Sequence, residues 1–182
     1  MGLDNELKLM SEISENENIT QRELSKKLNL SLGTVNLLIK KMIKEGLIKM
    51  NHVSKRQVFY MLTPAGIIEK TKKTSKYIQI HYNAINETKE KIKKALEEIK
   101  ENYNTIYVLK LENEINQVLT ASIDEYMAKN QGVDVRFLST NNKNIIKDEE
   151  LSILVYLSED EEIVEEYKEI KNLDKINLLE RL

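Results

Sequence analysis

Thr20-Gln21-Arg22-Glu23-Leu24-Ser25-Lys26-Lys27-Leu28-Asn29-Leu30-Ser31-Leu32-Gly33-Thr34-Val35-Asn36-Leu37-Leu38-Ile39-Lys40-Lys41-Met42-Ile43-Lys44-Glu45-Gly46 reads as two short helices joined by a tight turn. Thr20 and Glu23 form a capping box: the hydroxyl satisfies the Glu23 amide and the carboxylate reaches back to the Thr20 amide. Leu24 and Leu28 share a face, Asn29-Leu30 breaks the pattern, and Ser31 caps the second helix after a turn of about three residues. That helix, from Leu32 to Glu45, sets Val35, Leu38, Ile39 and Met42 at 3-4 spacing for a core. Gly46 supplies the left-handed residue that ends it, and Leu47-Ile48 returns to the interior.

The opposite face of the second helix carries Gly33, Thr34, Asn36, Leu37, Lys40, Lys41 and Lys44. Small residues come first, then polar ones, then cations, an order that suits double-stranded DNA. A small first turn lets the backbone approach the duplex, polar groups meet base edges, and lysines meet phosphates. Thr20, Gln21 and Ser31 at the two helix starts join this set. Glycine inside a helix is unfavourable, so Gly33 serves either close approach to a partner or packing on the preceding helix, and the first fits its neighbours better. Leu37 stands where a cation would be expected; a thymine methyl or an added protein surface would suit it.

The 182 residues are 41% hydrophobic and 32% charged, ordinary for one medium domain or two small ones, and two fit the pattern better. Without cysteine there are no disulfides, thiolate metal sites or cysteine nucleophiles. No apolar run reaches the ~20 residues of a membrane helix and the first residues lack a targeting pattern, so a cytoplasmic location is expected. The net charge of -2 conceals a division. Residues 20–76 hold 13 Lys/Arg against 3 Asp/Glu, whereas residues 104–182 hold 9 against 17. The first segment is a local field for polyanions despite a pI near 5.9.

Ahead of the motif, Leu3, Leu7, Met10 and Ile13 make a helical stripe with Glu6, Lys8 and Glu12 outside it. Ile19 is placed to staple the capping box against Leu24. After it, Leu47–Met50 and Gln57–Leu62 read as a hairpin around Asn51–Arg56. Lys55 and Arg56 at its tip are suited to phosphate or a minor groove, against the plainer reading of a solvated turn.

Three helices and a two-stranded wing make a winged helix-turn-helix. Gln21-Arg22-Glu23-Leu24-Ser25, Ser31-Leu32-Gly33-Thr34-Val35-Asn36, Glu45-Gly46-Leu47-Ile48-Lys49 and Leu62-Thr63-Pro64-Ala65-Gly66 resemble MarR-type repressors, and most closely the branch associated with exopolysaccharide and surface-sugar loci. The resemblance covers roughly residues 5–80. It implies DNA binding through the second motif helix and the wing.

Thr63 caps a new helix with Pro64 at its first position, and no later proline interrupts it. Ile68, Thr71, Ser75, Ile78, Tyr82, Ile85, Lys89, Ile92, Leu96, Ile99 and Tyr103 form a heptad stripe along a helix about 55 Å long at ~1.5 Å per residue. Pairing in a homodimer through Ile78, Tyr82, Ile85, Ile92, Leu96 and Ile99 is the economical reading. Lys89 and the β-branched positions suit a parallel two-stranded coil poorly, so an antiparallel pair or small bundle stays open. The competing reading is a helix broken near His81-Tyr82-Asn83 and packed on its own chain.

Beyond Asn102 strands alternate with helices: Thr105–Leu111, a helix Glu112–Asn130 ended by Gly132, a strand Val133–Leu138, a strand Leu151–Leu157, a helix from Ser158 to about Lys171, and a strand Lys175–Leu179. A mainly parallel four-stranded α/β sheet follows. The expected organisation is α+β: winged helix 1–66, linking helix 67–102, and α/β domain 103–182.

The last domain resembles, more loosely, the Rossmann-like nucleotide or sugar-nucleotide domain that follows a winged helix in some surface-sugar regulators. It departs where phosphate would bind. Lys110-Leu111-Glu112-Asn113-Glu114 has no glycine and carries two carboxylates in place of a Gly-rich turn. Association or partner binding is the expected role, with no cofactor. His52 and His81 lack ligand partners, and Glu159-Asp160-Glu161-Glu162 reads as a solvated helix start. No metal, nucleophile or phosphate-loop constellation remains, so no enzyme is expected. The sequence thus predicts a dimeric DNA-binding transcriptional regulator, with a winged helix used for protein assembly as the alternative.

Overall fold

The computed structural model describes residues 2–54, 57–130, 132, 134–139, 146, 151–167, 170 and 173–182. The chain divides into two compact units, Met1–His81 and Tyr82–Leu182.

The first unit holds α1 (Gly2–Glu15), α2 (Gln21–Leu28), α3 (Leu32–Lys44), β1 (Ile48–Ser54), β2 (Gln57–Leu62) and the start of α4 (Pro64–Lys100). The Thr20 hydroxyl accepts from the Glu23 amide at 3.2 Å and the Glu23 carboxylate accepts from the Thr20 amide at 2.8 Å, so the capping box is formed. Asn29, at φ 50°, closes α2 in the left-handed region. Ser31 caps α3, and Gly46 at φ 72° ends it. Leu9, Met10, Ile13, Ile19, Leu24, Leu28, Val35, Ile39, Met42, Ile48 and Tyr60 form one buried core. β1 and β2 pair antiparallel from Ile48↔Leu62 outward, with a shift of register between His52 and Ser54.

The wing is tied back to α4. The Thr63 amide donates to the Leu47 carbonyl at 3.0 Å, and its hydroxyl donates to the Gly46 carbonyl at 2.6 Å and accepts from the Gly66 amide at 3.0 Å. Thr63 therefore serves as the cap and Pro64 as the first helical residue.

Within the second unit the remainder of α4 and α5 (Glu114–Lys129) accompany β3 (Thr105–Lys110), β4 (Asp134–Ser139), β5 (Ser152–Tyr156) and β6 (Leu173–Asn177). The sheet runs β4-β3-β5-β6 with every neighbouring pair parallel. Ile106, Val108, Ile153 and Val155 on one face join Ile92, Ala95, Leu96 and Ile99 of α4 and Leu119, Ile123 and Tyr126 of α5 in a single core. Tyr107, Leu109, Leu138, Leu154 and Tyr156 point to the other face, with Val164, Tyr167 and Leu173. Both faces of the strands are covered, as a parallel sheet requires.

Several expectations change. α4 is unbroken, but Ile92, Leu96 and Ile99, expected in a dimer seam, are buried by their own chain. Lys89, awkward in a seam, bonds Glu125 of α5 at 2.7 Å. The expected helix 158–171 is a short 3₁₀ helix, Glu161–Tyr167. Glu161 with Glu165 and Glu162 with Glu166 would repel at i,i+4 in an α-helix. The last strand lies two residues earlier than expected at each end, because the Asn177 side chain accepts from the Leu179 amide and turns the chain into a 3₁₀ helix. Glu112 and Asn130 fall outside α5, which Asn113 caps.

Glu125 also accepts from Lys93 at 2.9 Å. Its hydrogen bonds to Lys89 and Lys93 hold its pKa down at about 2, against the desolvation that would raise it. A depressed folded-state carboxyl stabilises above its unfolded pKa and loses that contribution as pH falls through the folded value. The tie between α4 and α5 is thus expected to weaken from about pH 4.5 toward 2, and acid titration of Glu125→Gln should lack this component.

Candidate nucleic-acid interface

The surface of α3 separates by periodicity. Val35, Ile39 and Met42 are buried, while Gly33, Thr34, Leu37, Lys40, Lys41 and Lys44 are exposed and Asn36 is half-buried. Leu37 is 70% exposed, the most open large apolar side chain among the described residues. A Cβ added at Gly33 would meet only the Ser31 hydroxyl, at 3.8 Å. The protein itself therefore does not require glycine there, and packing on α2 is not its reason. Gly33→Ala is expected to raise stability by about 0.5–1 kcal/mol, the usual helix gain. The same variant should weaken DNA binding if the bare backbone faces a duplex. Thermal melts and duplex titrations of one preparation test both signs.

Capping engages part of the expected set. Thr20 is held by Glu23, and the Ser31 hydroxyl accepts from the Thr34 amide at 3.1 Å and lies 2.8 Å from the Thr34 hydroxyl. Gln21 is half-buried and donates to the Tyr60 hydroxyl at 2.9 Å, joining α2 to the wing strand. Lys41 departs most from expectation: its ammonium donates to Glu6 of α1 at 2.6 Å and lies 3.8 Å from Glu45. Lys40 and Lys44 make no ion pair among the described residues. Lys55 and Arg56 lie outside the described residues.

Glu6, expected on the solvent side of α1, is 8% exposed and also accepts from Lys73 of α4 at 2.8 Å. Burial alone would raise its pKa, but the hydrogen bonds and charges of Lys41 and Lys73 outweigh it and hold the carboxyl below its ordinary value. The same bonds raise the pKa of both lysines. The buried α1 stripe is Glu6, Leu9, Met10 and Ile13. The sequence pattern placed Met10 and Ile13 on this stripe but put Leu7 where Leu9 is buried and left Glu6 outside, because a carboxylate beside an apolar series reads as a solvated residue.

Around the end of β3, Lys110, Glu112, Asn113, Glu114, Asn116 and Asp124 line a groove of about 580 Å³. The Asn113 side chain accepts from the Asn116 amide at 2.9 Å, and the Asn116 side chain donates to the Leu157 carbonyl at 3.0 Å. The α5 N-terminus is thus partly satisfied from within and faces carboxylates. Among the described residues, no three His, Asp or Glu side chains converge on a metal site, and no helix is long and apolar enough to cross a membrane.

The first unit, with three helices, a two-stranded wing and a polar, cation-bearing face on the third helix, is a winged helix-turn-helix domain. Residues 3–49 match the family of winged helix-turn-helix DNA-binding domains. Solved structures to which the chain is similar include MepR, a transcription regulator of the Staphylococcus aureus multidrug efflux pump MepA, at 16% identity, with 69% of this chain and 78% of that one covered and a TM-score of 0.43. The S. aureus MepR–DNA complex matches at 16% identity over 69% of this chain and 77% of that one, TM-score 0.42. The multiple antibiotic-resistance repressor MarR from Listeria monocytogenes 4b F2365 matches at 17% over 69% and 75%, TM-score 0.36. These likenesses are distant, and no curated protein matches the chain.

Proposed function

We propose that this chain is a sequence-specific double-stranded DNA-binding transcriptional regulator acting in the cytoplasm as a homodimer, in the manner of the MarR-type surface-sugar branch it resembles. The single observation that carries this reading is the exposed α3 face, where Gly33, with room for a Cβ, stands ahead of Asn36, Leu37, Lys40 and Lys44. In the major groove, Thr34 and Asn36 meet base edges, Leu37 a thymine methyl, and Lys40 and Lys44 phosphates. Thr20, Gln21 and Ser31 brace the helix starts close to the backbone, and Lys55 and Arg56 extend the contact from the wing.

Dimerisation is assigned to the middle of α4. Residues 75–85 are all exposed, and they include Tyr77, Ile78, Ile80, Tyr82 and Ile85, an apolar series that a second copy would cover. The α/β domain is read as a degenerate Rossmann-like unit that binds no nucleotide, because Glu112 and Glu114 oppose a phosphate at the end of β3.

Titration of a preferred and an unrelated duplex over a range of salt tests the reading. Binding should weaken steeply with salt. Asn36→Ala should cost about 1–3 kcal/mol of discrimination at one base pair, whereas Lys44→Ala should weaken both duplexes alike. Salt-independent binding, or none with any duplex, would favour the use of this winged helix for protein assembly, whereas equal losses for the two variants on both duplexes would show that Asn36 does not read a base.

A further inference from the structure

The α3 lysines are not equivalent. Lys40 and Lys44 have no ion-pair partner among the described residues, but Lys41 is held at 2.6 Å by Glu6. Glu6 belongs to α1, is nearly buried, and takes a second ammonium, Lys73, from α4. One carboxylate therefore joins three helices, two of which contribute a cation each. Lys73 is only 14% exposed and has a further neighbour, Glu69, at 3.4 Å. Lys41 is 54% exposed, and its ammonium is held by the Glu6 carboxylate.

We propose that Glu6 is a specificity-determining positioning residue: it withholds Lys41 from the phosphate backbone and fixes α3 against α1 and α4. The inference rests on the DNA-binding reading of α3. A lysine free to seek phosphate adds affinity for every sequence equally, because phosphate contacts carry no base information. A lysine bound to a buried carboxylate does not. The clamp also sets the roll of α3, and with it the side chains offered to base edges. Discrimination depends on that roll, since a bidentate contact needs both its hydrogen bonds in place.

The charge arithmetic gives this a distinctive sign. A carboxylate that only held the fold together would, when lost, lower the melting temperature and weaken both duplexes in parallel. Here Glu6→Gln releases Lys41 to a phosphate, so binding of an arbitrary duplex should become tighter by several-fold at ~0.1 M salt, and the slope of log K against log salt should steepen by about 0.9. The ratio of preferred to arbitrary affinity should fall about tenfold as α3 loses its fixed roll. Lys41→Ala, at a position exposed enough to tolerate it, should reduce the ratio while leaving the slope unchanged. Lys44→Ala should flatten the slope by about 0.9.

The experiment is duplex titration of the full chain and these three variants across salt, with melting temperatures recorded beside each. Steepening by Glu6→Gln and an unchanged slope for Lys41→Ala are the expected results. If Lys41→Ala flattens the slope as Lys44→Ala does, Lys41 is itself a phosphate contact and the proposal is overturned. It is equally overturned if Glu6→Gln weakens both duplexes in parallel with a lower melting temperature, as a merely structural role would give. Failure of the unsubstituted chain to bind any duplex would instead overturn the DNA-binding reading.

Discussion

Leu96→Ala is expected to destabilise the second unit by about 2–5 kcal/mol, with the same loss at every protein concentration. Leu96 is fully buried between Ile92, Ala95 and Ile99 on its own helix and the β3 and β5 side chains Ile106, Val108, Ile153 and Val155. Truncation leaves a cavity that the sheet cannot close, because parallel strands covered on both faces have little room to shift. A seam residue would behave differently: its loss would shift a monomer–dimer equilibrium and fade at high concentration. Amide exchange in β3 and β5, followed at two concentrations a hundredfold apart, separates the two. Ile78→Ala provides the contrast, since Ile78 is 61% exposed and its loss should leave those amides protected.

Gly66→Ala has an expected cost of about 3 kcal/mol or more in the first unit, at the top of the range for overpacking. A Cβ at this position would lie 2.0 Å from the Leu47 carbonyl oxygen and 3.0 Å from its carbon. Those are main-chain atoms, and the same oxygen accepts from the Thr63 amide, so the first turn of α4 cannot retreat without breaking that bond. The clash spreads to the Thr63 hydroxyl, which links the Gly46 carbonyl and the Gly66 amide. Urea unfolding of the variant should show the loss in the first unit while the β3 to β6 sheet keeps its midpoint. An unfolding free energy within about 0.5 kcal/mol of the parent would mean that this approach is looser than the structure shows.

Those two positions mark where the sequence was and was not legible. Capping chemistry identified α2, α3 and the start of α4, because Thr20, Ser31 and Thr63 each carry the one side chain that satisfies an orphan amide at a fixed offset. Gly66 appeared within a motif, but its reason is a backbone contact with Leu47, nineteen residues earlier in sequence, which local pattern does not contain. The heptad stripe was correct as a periodicity and incomplete as a partner assignment. Apolar residues at 3-4 spacing state that a face is covered, not whether by a second copy or by a sheet. Ala95 held a usable signal: with Ile92, Leu96 and Ile99 it widens the stripe beyond a narrow coiled-coil seam toward the broader face of a globular core. Thr71 and Ser75 farther back leave that face thinner.

The candidate site was legible in composition and only partly in pairing. Gly33, Asn36, Leu37, Lys40 and Lys44 could be placed on the open face of α3 from helical spacing alone. That Gln21 would turn to Tyr60 and Lys41 to Glu6 depends on side chains 39 and 35 residues away. Such long-range pairs decide which polar groups remain for a ligand, and no local window reveals them.

Selection of bound sequences by the full chain from random duplex DNA tests the central claim most directly. The account predicts enrichment of a defined motif whose recovery collapses as salt rises, with information lost at one base pair when Asn36 is replaced by Ala. A pool that remains random after repeated selection, or retention that does not change with salt, would contradict it.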